Sequence, residues 1–342
     1  RLEAGVMQRL HQACYPVPRV DHLQPDPAPL GKPFIIMEKI EGEVLWPLLY
    51  TPASIRQGEH MLRLFAQLYV RLHRLDWRPF SPSPAPAPVS GLLDSWQPYL
   101  GLLPGGDFAP HWQWLRQRQA SVRGARPALI HFDFHANNIL IRPDGSPAVI
   151  DWTGALVADP RYDLAWTLLL TEAYEGAEWR ERILRAYEQE AGEAISDLDF
   201  FDVAACLRRL FSILVSQAQG AQSMGMRPGA EQGMLQAEPI RRVYRRMLAH
   251  TALPVPAVEA LQIAARSGPA NAEIGFHSQE RALFRHPLVI GDSAVDIRMV
   301  HEQERYADGR CLSRLTTLRS GRRMRFTRSV EHLSVWFAPA DQ

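Results

Sequence analysis

The stretch that most constrains this chain lies between Leu129 and Asp151. Two apolar runs, Ile139-Leu140-Ile141 and Ala148-Val149-Ile150, flank Arg142-Pro143-Asp144-Gly145-Ser146. Pro, Asp and Gly are turn formers, and short branched runs on either side of them read as a β-hairpin. A hairpin brings its ends together, so Asn138 and Asp151, just outside the two runs, converge on one point. Asp133 precedes the hairpin and can face the same point. A carboxylate and an amide oxygen with few other protein ligands suit Mg²⁺, which keeps waters and shares phosphate oxygens. A further carboxylate, free to orient or deprotonate an attacking hydroxyl, completes the division of labour in phosphoryl transfer.

The surrounding pattern predicts an α+β fold. Residues 1–13 read as a short amphipathic helix that stops before Tyr15-Pro16-Val17-Pro18. Val17 to Leu23 suits a strand, Asp26 to Lys32 a turn, and Phe34-Ile35-Ile36-Met37 a buried strand, with Gly42 breaking the chain. Helical spacing follows over Ile55–Leu75 and Trp112–Arg123, separated by a stiff Pro-rich loop from Pro79 to Gly91. From Tyr162 to about His250 the pattern is helical throughout, so strands and helices segregate along the chain. After Leu253-Pro254-Val255-Pro256, β-like runs at 288–290, 294–300, 312–318 and 333–337 predict a small β-rich appendage, with a turn at Ser320-Gly321.

Composition narrows the partners. The 342 residues are 46% hydrophobic and 22% charged, ordinary for a globular chain, and the formal charge of +1 provides no global field for nucleic acid. The cysteines, Cys14, Cys206 and Cys311, have neither zinc nor disulfide spacing. With no apolar run near ~18 residues and no signal-like segment, a cytoplasmic protein without a membrane partner is expected. Arg319, Arg322, Arg323, Arg325 and Arg328 lack interleaved stacking aromatics and read as a soluble hairpin edge rather than a nucleic-acid surface. Oligomeric state is not legible.

The run His131-Phe132-Asp133-Phe134-His135-Ala136-Asn137-Asn138-Ile139-Leu140, then Ile150-Asp151-Trp152, then Ala158-Asp159-Pro160-Arg161-Tyr162-Asp163-Leu164-Ala165, resembles the catalytic segments of aminoglycoside phosphotransferases and choline kinases. The resemblance covers roughly residues 1–250 and implies a protein kinase-like two-lobed fold. Its boundaries would be a remainder of the small lobe and hinge at 1–42, a large helical lobe at 43–252, and a linker with the β-rich appendage at 253–342. It implies ATP or GTP and Mg²⁺ as cofactors and a small-molecule alcohol as substrate. Asp133 would be the base, His131 the loop-bracing histidine of the catalytic segment, and Asn138 and Asp151 the Mg²⁺ ligands. Glu38, Lys39 and Ile40 would meet adenine through main-chain groups. Glu3 would be the helix glutamate that pairs with a phosphate-binding lysine. Asp159 would fix the loop, and Asp163 would cap or anchor the next helix.

Two features depart from that pattern. Phe132 stands where the family has glycine, and the glycine-rich turn and lysine expected ahead of Glu3 are absent from these residues. Lys32 and Lys39, the only lysines, fall after the first helix. The helical start at Arg1 leads to the expectation of a chain cut from a longer protein, which as it stands would bind nucleotide poorly and turn over slowly or not at all. Two other readings compete: a pseudokinase or interaction module that keeps the fold without turnover, and a metal hydrolase with His131 and His135 as a zinc pair and Asp133 in between. The second lacks a third ligand and the helix that i, i+4 zinc spacing needs. His135 reads as structural or close to substrate. Glu172, Glu175 and Glu178 read as a solvated face, with an acidic pocket for cationic substrates as the alternative. Trp112, Trp114, Trp166 and Trp179 read as core or pocket wall.

Overall fold

The computed structural model describes residues 2–26, 34–102, 108–219 and 235–260, together with the backbone of five strands beyond residue 275. The chain divides into two compact units, Arg1–Leu214 with Ala237–Glu259, and Val215–Gln236 with Ala260–Gln342.

The first unit opens with helix α1 (Leu2–Gln12), whose Ala4, Val6, Met7 and Leu10 are buried at helical spacing. Strands β1 (Val20–Gln24) and β2 (Phe34–Met37) form an antiparallel two-stranded sheet. The strand at 34–37 is therefore where its composition places it, but it is not buried: Ile36 is 51% exposed and Met37 39%. An apolar run signals a covered strand only where a second layer lies on it, and here none of the described residues closes over that end. The expected turn at 26–32 lies largely outside the described residues.

The chain then passes Gly42 into β3 (Glu43–Val44), α2 (Leu45–Tyr50) and α3 (Ile55–His73). The Ser54 side chain caps α3 by accepting from Gln57 N–H, 3.2 Å. One face of α3 buries Phe65, Leu68, Tyr69 and Leu72, as its periodicity predicts. Short helices α4 (Ser90–Trp96) and α5 (Ala109–Arg118) follow, α5 ending five residues earlier than its sequence pattern predicts.

Strand β4 (Ala128–Ile130) pairs with β7 (Leu156–Ala158), and between them β5 (Ile139–Ile141) and β6 (Pro147–Val149) make the predicted hairpin. Gly145, at φ +83°, supplies the left-handed turn residue. β3 adds to the hairpin to give the order β3–β5–β6. The crossing requires glycine at 42, because a Cβ there would lie 2.3 Å from the Ile141 carbonyl oxygen. Helices α6 (Pro160–Glu175), α7 (Ala177–Ala191), α8 (Leu198–Gln219) and α9 (Ala237–Thr251) complete the helical layer, close to the predicted spans. Among the described residues, no helix is long and apolar enough to cross a membrane.

In the second unit the strands are β8 (Phe276–Ile290), β9 (Ser293–Tyr306), β10 (Cys311–Thr317), β11 (Met324–Ser329) and β12 (His332–Phe337). They pair antiparallel in the order β12–β11–β10–β9–β8. The expected turn at Ser320-Gly321 and the side chains of the arginine cluster lie outside the described residues.

Candidate active site

The loop between β4 and β5 is pegged into the core by its own aromatic residue. Phe134 is fully buried, its ring stacked on Tyr69 at 4.1 Å and 9°, and its carbonyl accepts from the Thr167 hydroxyl. Trp152, at the far end of the hairpin, is also fully buried and donates from Nε1 to the Val149 carbonyl, 2.9 Å. His131 packs on the Trp152 ring, 4.5 Å between centroids, and Tyr15 meets the same indole edge-on at 5.7 Å. The motif residues Phe134 and Trp152 are thus core anchors, and the polar residues between them are carried outward on that rigid base.

His131 is a tie rather than a proton carrier. Its Nε2 lies 2.9 Å from the Ile150 carbonyl, which accepts, so the proton sits on Nε2. Its backbone N–H donates to Asp163 Oδ2, 2.8 Å. Burial pushes its pKa down, more strongly than the Asp163 and Asp133 charges raise it, so the ring is neutral. It joins the loop to the hairpin end at one side and to α6 at the other.

Asp159, and not Asp163, caps α6, while Asp163 anchors that helix to the loop. Asp159 is the N-cap of α6, accepting from Arg161 N–H at 3.0 Å. Its carboxylate also takes Arg161 Nε at 2.8 Å and Nη2 at 2.9 Å. Asp163, one turn further, holds the loop instead, through His131 N–H and His73 Nε2 at 3.4 Å. The cap position belongs to the residue with extended backbone, which is Asp159 at φ −68° and ψ 129°. Sequence spacing alone does not reveal which aspartate that is.

Asp133 stands at the open side, its side chain 39% exposed. Oδ1 accepts from Trp166 Nε1 at 2.7 Å, and Oδ2 lies 3.5 Å from His135 Nε2. Burial works against the charged form, but His135, the Arg208 guanidinium and the Trp166 indole outweigh it and hold the carboxyl well below the usual range. With more than a third of the side chain in contact with water, the direction of that shift carries weight and its energy does not. His135 thus sits on Asp133 itself.

Asn138 and Asp151 are brought to the same end of the hairpin, where Ile150 N–H donates to the Asn138 carbonyl at 2.9 Å. The Asn138 amide nitrogen donates to the Asp133 carbonyl, 3.0 Å, which ties the metal-ligand candidate to the base candidate and leaves its amide oxygen for another partner. Asp151 is exposed, in left-handed backbone at φ 64°, with Oδ1 accepting from Thr153 Oγ1 at 2.7 Å. Glu3 reaches this end from α1. Its pKa is raised, by burial first and then by the Asp151 charge, against a hydrogen bond from Trp152 N–H.

The adenine segment is partly spoken for. Glu38 N–H donates to the Arg19 carbonyl, 2.8 Å, extending the β1–β2 pairing, so that main-chain donor is not available to a base. The Glu38 carboxylate bridges Arg19 N–H and Arg142 Nη2, each at 3.1 Å, which ties this segment to the hairpin turn. Lys39 Nζ pairs with Glu41 Oε1 at 2.5 Å on the surface. Glu172 is neither a solvated face nor a free acid: it pairs with Arg246 and lies 3.7 Å from Arg180 Nε. A cationic substrate would have to compete with two arginines for it.

The model of the phosphotransferase enzyme family, APH, matches residues 1–200 of the chain. The chain belongs to this family.

The fold comparison agrees with that membership. The chain is similar to a candidate aminoglycoside phosphotransferase from Ralstonia eutropha JMP134, at 17% identity and TM-score 0.54, covering 78% of this chain and 83% of that one. It is also similar to a thermostable mutant of aminoglycoside phosphotransferase APH(4)-Ia in its apo form, at 16% identity and TM-score 0.50, covering 78% and 84%. The fold is the kinase-like one of the APH phosphotransferases, mostly helical with small sheets. Over 195 residues the chain is 26% identical to acyl-CoA dehydrogenase family member 10 of Mus musculus, a stretch that makes up 49% of this chain and 16% of the mouse protein.

Two residues against this APH-family loop escaped the sequence reading in their roles. Trp166 reads as pocket wall by periodicity, yet its indole donates to Asp133. Arg208 lies in a helical stretch with no motif. Its guanidinium carbon is 3.8 Å from the centroids of both the Phe132 and the Trp166 rings, and Nη1 donates to the Phe132 carbonyl at 2.6 Å. Only the packing of α6 against α8 brings them to the loop.

Proposed function

We propose that this APH-family chain is the catalytic part of a small-molecule kinase that moves the γ-phosphoryl of ATP or GTP to an alcohol, with Asp133 as the base. In this reading residues 1–42 belong to a small nucleotide-binding lobe and hinge, and 43–252 to the large lobe. The observation that carries it is the placement of Asp133 as a held carboxylate, tied through Asn138 to the hairpin end that also bears Asp151.

The donor set fits magnesium. Asn138 presents an amide oxygen, its nitrogen being committed, and Asp151 keeps Oδ2 beyond its bond to Thr153. Two oxygen ligands and open surroundings match a hard cation that retains waters and shares phosphate oxygens. When bound, Mg²⁺ would neutralise charge on the transferring phosphoryl group. Asp133 would accept a hydrogen bond from the acceptor hydroxyl on its open side and orient the oxygen for in-line attack. Trp166 would keep the carboxylate from turning away. Glu3, beside Asp151, would meet a cation at the phosphates; burial and the Asp151 charge raise its pKa.

The hydrolase reading fares worse. His131 Nε2 is committed to Ile150, and among the described residues no three His, Cys, Asp or Glu side chains gather as a catalytic zinc would need.

The test is nucleotide consumption by the complete reading frame against a panel of small alcohols. Replacing Asp133 by Asn is expected to lower kcat by about 10³-fold, while nucleotide affinity stays within a few-fold. Unchanged turnover in that variant would refute the assignment of the base. Nucleotide binding with no consumption on any alcohol would favour the non-catalytic module.

A further inference from the structure

We propose that Arg208 is the positioning residue of this site, holding the left-handed Phe132–Asp133 turn and the Trp166 indole that steadies the candidate base. The proposal rests on the reading of Asp133 above, and adds a group that the sequence motifs do not contain.

Phe132 has φ +67°, left-handed backbone in which a Cβ crowds the following carbonyl oxygen. Such a conformation persists only where its surroundings over-determine it. Arg208 makes two of the contacts that hold Phe132. The guanidinium donates to the Phe132 carbonyl at 2.6 Å, which fixes the plane of the Phe132–Asp133 peptide, and it lies against the Phe132 ring at 3.8 Å. The nearest other ring, Trp96, is 6.3 Å away and tilted.

The same guanidinium carbon also lies 3.8 Å from the centroid of the Trp166 ring, and Trp166 Nε1 donates to Asp133 Oδ1 at 2.7 Å. Arg208 therefore reaches Asp133 by two routes, through the peptide just before it and through the indole bonded to it. A planar cation between two rings suits arginine and not lysine.

Nor is this an ordinary structural ion pair. Among the described residues Arg208 makes no salt bridge, unlike Arg161 with Asp159 or Arg180 with Asp202. Burial pushes its pKa down to about 10, with the Asp133 and Asp163 charges opposing. An unpaired cation in such a place is costly, and an aliphatic side chain would fill the gap between two rings at less cost. Its hydrogen bond and stacking act on the turn that carries Asp133.

The first test needs no substrate. In ¹⁵N-labelled protein the Trp166 indole N–H, assigned by its loss in Trp166→Phe, is expected to exchange with solvent at least about tenfold faster in Arg208→Met. Circular dichroism shows whether that variant keeps its fold. Arg208→Lys, which retains charge without the planar stack, is expected to behave like Arg208→Met. Unchanged indole protection in both variants would overturn the proposal.

The second test reads turnover of ATP with water as acceptor in the complete reading frame. Arg208→Met is expected to lower kcat by about 10–100-fold with KM for MgATP within about threefold. In a Phe132→Gly background the same change is expected to cost about threefold or less, because glycine takes the left-handed turn unaided. Losses that simply multiply, or a lysine variant at full kcat, would also overturn it. If Asp133→Asn leaves turnover intact, the reading of the base fails instead, while the indole measurement still judges the clamp.

Discussion

Phe132 and Asp151 border the candidate site with the same left-handed backbone, φ 67° and 64°, and for different reasons. Aspartate tolerates that region because its short carboxylate bonds locally, here to Thr153. Phenylalanine does not, and is held by outside contacts. Glu3 is the third residue under tension, since its carboxylate lies half-buried near that of Asp151. Its folded pKa is raised, so protonation favours the folded state. Stability from this group is gained as pH falls through the raised value and withheld above it. In magnesium-free buffer Glu3→Gln, which keeps an acceptor for Trp152 N–H, is expected to raise Tm at pH 7 by about 1–2 °C and to have no effect at pH 4. Equal shifts at both pH values would mean that packing, not charge, is responsible.

At the scale of elements, the site depends on a three-stranded sheet whose first strand is two residues long. β3 reaches β5 only because Gly42 lets its backbone come against Ile141. The atom that a methyl group would strike is a main-chain oxygen within a ladder, which cannot swing aside as a side-chain tip could. Gly42→Ala is expected to cost about 2 kcal/mol in urea unfolding, at the middle of the range for overpacking. It should also detach the Glu38–Arg142 link that ties the segment at residue 38 to the hairpin turn. A stability within about 0.5 kcal/mol of the parent would show that β3 is dispensable.

At the scale of the whole molecule, one charged cluster lies well inside the helical layer. Asp202 is 2% exposed and is met by Arg180 at 2.7 Å, Arg246 at 3.1 Å and His250 at 3.4 Å. Burial raises its pKa, but His250 beside it and the two arginine charges together bring it below the ordinary value. A depressed carboxylate contributes stability that is complete above the unfolded pKa of about 4 and lost as pH falls through the folded one. Asp202→Asn is expected to cost about 3 kcal/mol at pH 7, because Arg180 is left buried with only Glu172, 3.7 Å from its Nε, as a counter-charge. Its melting temperature should also fall less steeply than the parent's between pH 5 and pH 3. Parallel curves would remove Asp202 from the acid response.

Much was legible because it is local. The hairpin, the loop ahead of it and the helical spans follow from turn chemistry and from apolar spacing within a few residues, and the motif order by itself identified the family. Other features depend on which surfaces meet. Exposure of Ile36 and Met37 depends on what covers a sheet. Which aspartate caps α6 and which holds the loop depends on backbone angles at 159. The pairing of Glu172 with Arg246, from helices far apart in sequence, turned a possible acidic pocket into a closed ion pair. Arg208 reached the base only through the packing of α8 on α6. Sequence by itself determined which chemical groups stand at the hairpin end, since neighbours along a chain cannot separate. Tertiary structure alone decided what those groups are bonded to, because a side chain's partner is set by the element packed over it and not by its own neighbours.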